Sequence, residues 1–170
     1  LYASMLNGTV YKVRLGPLPI EDATTEVVQL FSAPQAVRQL MSTGDYLVYA
    51  LGSDLHRLRL SDLNDQVLVA GGEIGALAAA GGLVFAGVDG DVLAVDLHTW
   101  TLTANSVPGT AKVAALDAEH NRLLIGRGAA GVELVELPLT WYGVNASLSA
   151  PAFGQVYELS ESMLLALQDL

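Results

Sequence analysis

Chemistry in this chain would have to come from few side chains. Three histidines, His56, His98 and His120, are spread along it, and His120 follows closely on Asp117 and Glu119. His98, His120 and those two carboxylates have the donor types of a divalent metal site. The same residues in turns are ordinary solvated groups, which is the reading preferred. Asp89-Gly90-Asp91 offers two carboxylates to calcium, whereas a calcium loop needs about six or more oxygens at fixed offsets. An Asp-Gly pair also supplies the φ > 0 residues of a type I′ turn, which explains it fully. Glu133 and Glu136, at odd spacing in a strand, face opposite sides and cannot share a substrate. No Gly-x-Ser-x-Gly elbow occurs, and no Gly-x-Gly-x-x-Gly opens a helix. The expectation is no catalytic set, no metal and no cofactor.

Strands must position whatever remains. One pattern recurs at LYASMLNGTVYKVRL from Leu1, LVYALGSDLHRLRL from Leu47, LVFAGVDGDVLAVDL from Leu83 and LLIGRGAAGVELVEL from Leu123. A fifth copy begins at Leu164, and the starts are 46, 36, 40 and 41 residues apart. Each copy is an apolar run, a turn rich in Gly, Asp or Asn, then an alternating run, which is the signature of a hairpin. Between hairpins lie a β-prone run (TTEVVQLF, QVLVAG, TLTANSV, WYGVNASL) and another short strand (AVRQLM, EIGALAAA, KVAALDA, GQVYELS). Four short strands in roughly 40 residues make one β-propeller blade. The fold expected is all-β: residues 1–170 form one partial β-propeller with three complete four-stranded blades and two partial ones, within a six- to eight-bladed ring. A solenoid stack of the same blades is the runner-up.

With strands named a to d from the centre outward, strand a lines the central channel. Counting back nine positions from each strand b places Arg38, Ala114 and Gln155 alike, with Gly75 in the same place if one turn is shorter. Arg38 and Gln155 are the candidate channel-lining ligand residues, against a wall that merely holds water. Asn7-Gly8-Thr9 in a b–c turn and Asn145-Ala146-Ser147 on an outer strand are N-glycosylation sequons, which makes Asn7 and Asn145 candidate glycan sites. Trp100 and Trp141 fall near the c–d turns of neighbouring blades, either as exposed anchors or as packing plugs. Leu97 and Leu137 end equivalent strands and are expected in the core.

The residues RLLIGRGAAGVELVELPLTW and LVFAGVDGDVLAVDLHTW resemble the repeats of the LVIVD-type propellers, and the second is also similar to YVTN-type and quinoprotein-type blades. The resemblance spans nearly the whole chain. It implies a blade in a surface-exposed or secreted binding protein rather than a reaction. Trp-docking motifs and quinone ligands are not found, and neither is the Gly-His and Trp-Asp signature of WD repeats.

Composition narrows the partners. Eight basic against 18 acidic residues, a net charge of −10, disfavour nucleic acid and anionic membranes. The uncharged stretch from Ile74 to Val88 is too short to span a bilayer and carries Gly81-Gly82, so it reads as two buried strands. No cysteine is present, which removes disulfides and thiolate sites together. The chain starts on Leu inside a strand and is expected to belong to a larger polypeptide or assembly. The function expected is a non-enzymatic binding or scaffold module for protein or glycan partners, extracellular or on the cell surface. The alternatives are a propeller lactonase or hydrolase completed by further blades, and an intracellular (cytoplasmic) assembly scaffold.

Overall fold

The structure, a computed structural model, describes residues 1–14, 26–119 and 121–142. Their strands form four antiparallel sheets in chain order. The first holds β1 (Tyr2–Ser4), β2 (Thr9–Arg14) and β3 (Glu26–Ser32). The second is β4 (Val37–Thr43), β5 (Tyr46–Leu51), β6 (Asp54–Arg59) and β7 (Asp65–Val69). The third is β8 (Ile74–Ala80), β9 (Leu83–Val88), β10 (Asp91–Asp96) and β11 (Thr101–Val107). The fourth is β12 (Ala115–Glu119), β13 (Arg122–Gly126) and β14 (Val132–Glu136). Within each sheet the strands pair in sequence order, which is the wiring of propeller blades. Blades two and three are described with all four strands, blade one with b, c and d, and blade four with a, b and c.

Alternation explains why the sheets stack. On β5, Leu47 and Tyr49 join Val10, Tyr2 and Phe31 of the first sheet, while Val48 and Ala50 join Ile74, Val84 and Val95 of the third. On β9, Val84 and Ala86 turn back to the second sheet, whereas Leu83 and Phe85 meet Val113, Leu123 and Ile125 of the fourth segment. Each middle sheet therefore has a backward and a forward apolar face. All six residues of β9 are buried in consequence, as expected of a strand covered on both sides. The Gly81-Gly82 turn, with φ of 57° and 80°, reverses the chain between β8 and β9. No helix among the described residues is long and apolar enough to cross a membrane.

Three expectations change. First, the repeat register slips by one residue. The bonds Leu60 N–H to Asp45 O and Leu97 N–H to Gly82 O are equivalent, so Tyr46, not Leu47, stands where Leu83 stands. Second, the b–c turns are not type I′. Asp89 has φ +55° and Gly52 φ +63°, but neither Gly90 nor Ser53 is positive, which is the sign pattern of type II′. Third, the β-prone run expected from Trp141 opens not in a strand but in a 3-10 turn over Leu139–Tyr142, which agrees with the turn position expected for Trp141 itself. Pro138 cannot donate to a ladder, and its carbonyl accepts from Trp141 N–H at 2.9 Å to close the turn. Residues 143–170, with the sequon Asn145, the channel candidate Gln155 and the hairpin expected at Leu164, lie outside the described residues, as does His120.

Candidate functional site

The polar groups on the b–c face are held by the chain's own backbone. Asp54 and Asp91 open equivalent strands, and their carboxylates accept from Gly71 N–H (2.9 Å) and Gly109 N–H (3.0 Å). Asp89 accepts from Glu73 N–H at 2.9 Å, and Lys112 donates to Glu73. That pairing raises the exposed lysine's pKa through the hydrogen bond and the attraction of the carboxylate. Gly126 to Gly131 has the glycine spacing of a dinucleotide loop, but it joins antiparallel β13 and β14 through a 3-10 turn at Gly128–Ala130. Inside it Arg127 bends back to Gly90 O (2.6 Å), Ala111 O (3.0 Å) and Glu133 (2.9 Å). This arginine latches the third blade to the fourth through Nε and Nη1, while its buried Nη2 has no hydrogen-bond partner among the described residues.

The a–b and c–d face is different. An open groove of about 540 Å³ lies between blades two and three. One wall is the Ser42–Tyr46 turn, the other the Ala79–Gly82 turn, and Leu97 and Trp100 close it. Asp96 shapes the Trp100 turn by accepting from Thr99 N–H (2.8 Å) and His98 N–H (2.7 Å). Those bonds, the one from Thr99 foremost, lower the Asp96 pKa. The turn drives Trp100 to φ +57°, a conformation that non-glycine residues rarely take, so its indole leans onto Tyr46 with ring centres 4.5 Å apart. Arg57 of β6 places its guanidinium 5.5 Å from the Tyr46 ring and 5.0 Å from the Trp100 ring. Gln66 fixes the same guanidinium through Nε at 3.1 Å and through Nη2. In the groove wall the Thr43 hydroxyl oxygen is buried with no hydrogen-bond partner among the described residues.

A second polar cluster crosses blade two. The Tyr49 hydroxyl donates to Asp65 Oδ1 at 2.9 Å, and His56 Nδ1 lies 2.9 Å from Asp65 Oδ2. Tyr49 and His56 stack at 5.2 Å, with 17° between planes. Burial, helped by the hydrogen bond to Asp65, pushes the Tyr49 pKa well above the usual phenol value. His56 and Tyr49 are buried while Asp65 is exposed at the outer strand. The trio therefore ties strands b, c and d together.

Arg38 is exposed on β4 opposite Ala50, and no hydrogen bond or ion pair of its side chain is found among the described residues. Its equivalent Gly75 has no room for a side chain: an added Cβ would come 1.8 Å from Val113 O of the next blade. Asn7 is exposed, and its Oδ1 accepts from Thr9 N–H at 3.1 Å. No group of three or more His, Asp or Glu side chains that could hold a metal occurs among the described residues, and His120 of the candidate set lies outside them. Of the two tryptophans, Trp141 packs beside the cluster of blades three and four, while Trp100 both packs and walls the groove. Sequence reasoning missed Tyr46 and Arg57. The available signal was that Arg57 stands in the repeat column that holds Ala94 and Leu134.

No family model and no curated protein matches the chain. Among solved structures it is similar to two computationally designed proteins: Ika8 (TM-score 0.61, 17% identity, 80% of this chain and 42% of that one) and Ika4 (0.62, 17%, 81% and 84%). It is also similar to the WD40 β-propeller domain of Doa1 (0.63, 12%, 79% and 47%). These likenesses show the β-propeller fold. The chain spans less than half the length of Ika8 and of the Doa1 domain, and most of the length of Ika4.

Proposed function

We propose that this chain is a non-enzymatic protein-binding scaffold, and that the groove between blades two and three receives a segment of its partner. The observation that carries the reading is the Arg57 guanidinium beside the Tyr46 and Trp100 rings at an open groove. Trp, Tyr and Arg are the residues on which interface energy concentrates, above all beside a pocket that excludes water. The blades hold them rigidly, so little ordering entropy is lost on binding. The LVIVD-type resemblance of the repeats, an extracellular or cell-surface setting, and glycans at Asn7 and Asn145 belong to the same reading, with the sequons as their motive.

The test is recovery of a partner with the native protein, its identification, and titration of the purified pair. Trp100→Ala should weaken binding at least tenfold while the thermal melt stays cooperative. An unchanged affinity in that variant removes the groove from the function.

A further inference from the structure

Superposing the repeats shows one set of positions in two different states. The forward-facing residues Val48, Phe85 and Leu124 are equivalent, as are Leu55, Val92 and Val132, and then Arg57, Ala94 and Leu134. Equivalence follows from the matched bonds of Leu60 to Asp45, Leu97 to Gly82 and Leu137 to Asn121, and from the hairpin registers. In blades two and three Val48, Phe85, Leu55, Val92 and Ala94 have no exposed surface, because the next blade lies on them. In blade four the same columns are open: Leu124 is 43% exposed, Val132 72% and Leu134 61%. Three large apolar side chains side by side on one sheet face make a patch that a folded protein ordinarily covers.

We propose that the forward face of the fourth sheet is a blade-docking surface and that its occupant is the stretch 154–170 of this chain. GQVYELSESMLLALQDL follows that sheet in sequence and repeats the order of a short strand and then a Leu-rich strand start. Its Leu164 lies 41 positions after Leu123, close to the 39 from the equivalent Val84 to Leu123. In both interfaces behind it, the strand that covers a forward face comes from the chain immediately downstream: Ile74 and Val84 on Val48, and Val113 and Leu123 on Phe85. Blade order in a propeller follows chain order, so the next downstream stretch is the occupant for the third such face. A second copy of the chain is the competing occupant.

Hydrogen exchange on the full chain decides between them, with light scattering on the same samples. The proposal expects amides in 154–170 to exchange at least 100-fold slower than in a free peptide of that sequence. Leu134→Asp should abolish that protection while β5 and β13 keep theirs. Leu134 is exposed in the sheet itself, so the substitution does not disturb the core behind it. Should β13 also lose protection, Val132→Thr, which keeps the β-branched shape, takes over the test, with a loss of at least tenfold in 154–170 expected. Free-peptide exchange in the parent overturns the proposal, and so does protection that survives the variants. A dimer that Leu134→Asp converts to monomer, with 154–170 unchanged, assigns the face to a second copy and overturns it equally.

Discussion

Arg57 lies with its guanidinium carbon 5.0 Å from the centre of the Trp100 ring, and this contact joins strand c of blade two to the c–d turn of blade three. The pair lies half-buried at the groove, and Tyr46 supplies the second ring. A cation over an aromatic face contributes about 0.5–1 kcal/mol at partly exposed sites. A double-mutant cycle of Arg57→Ala and Trp100→Ala, read by denaturant unfolding, should give a coupling of about that size. Additive effects would show that the two side chains do not interact.

Tyr49 should set an alkaline limit on stability. Its folded pKa is raised, by burial first and by Asp65 second, while the unfolded phenol ionises near pH 10. Below pH 10 both states are protonated and the stabilisation is complete. As pH rises beyond it, the unfolded state loses its proton first and stability falls until the folded pKa is passed. Tyr49→Phe should flatten the stability curve above about pH 10. An equal slope in parent and variant would assign the alkaline loss to other groups.

Gly75 is a test of how closely the inner strands approach. A Cβ there would stand 1.8 Å from Val113 O, so the backbones of blades three and four must part to admit it. Gly75→Ala should destabilise by about 1–3 kcal/mol, the range for overpacking a tight core. An unchanged melting temperature would contradict the approach. Gly44→Ala is the control for a glycine with open space, and there only the φ of +55° resists the change.

Leu137 and Leu97 end equivalent strands but are not equally buried: Leu137 is 2% exposed and Leu97 is half-buried. Burying an unpaired charge costs several kcal/mol, about 3 or more at a closed site. Leu137→Asp should therefore lower the melting temperature clearly more than Leu97→Asp. Equal effects would mean that the two strand ends sit in the same environment.

Alternation and turn chemistry made the strands legible. Residues 83–97 read as a hairpin because apolar runs flank Asp-Gly-Asp, and β9 and β10 lie within them. The one-residue slip arose because Leu-Val pairs look alike in both registers, and only the backbone bonds from Leu60 and Leu97 decide between them. Arg57 interrupts a column that otherwise holds Ala94 and Leu134, and the strand c ends at Leu60, Leu97 and Leu137 already put it there. Trp100 was visible as a repeated aromatic. Its meeting with Tyr46 depends on a turn in which Asp96 bends the backbone to a positive φ, and no pattern of residue types reports that. The Tyr49, His56 and Asp65 trio was hidden for a related reason, since its members lie on three different strands.

The most direct test of the scaffold reading is site-specific photo-crosslinking from the two faces of the blades. A photoreactive residue at Ala79, on the groove wall, is compared with one at Pro108, near the opposite turns, each with and without Trp100→Ala. The account predicts a discrete crosslinked partner from Ala79, none from Pro108, and loss of the Ala79 product in the Trp100 variant. Products from Pro108 alone, or an Ala79 product indifferent to Trp100, would contradict it.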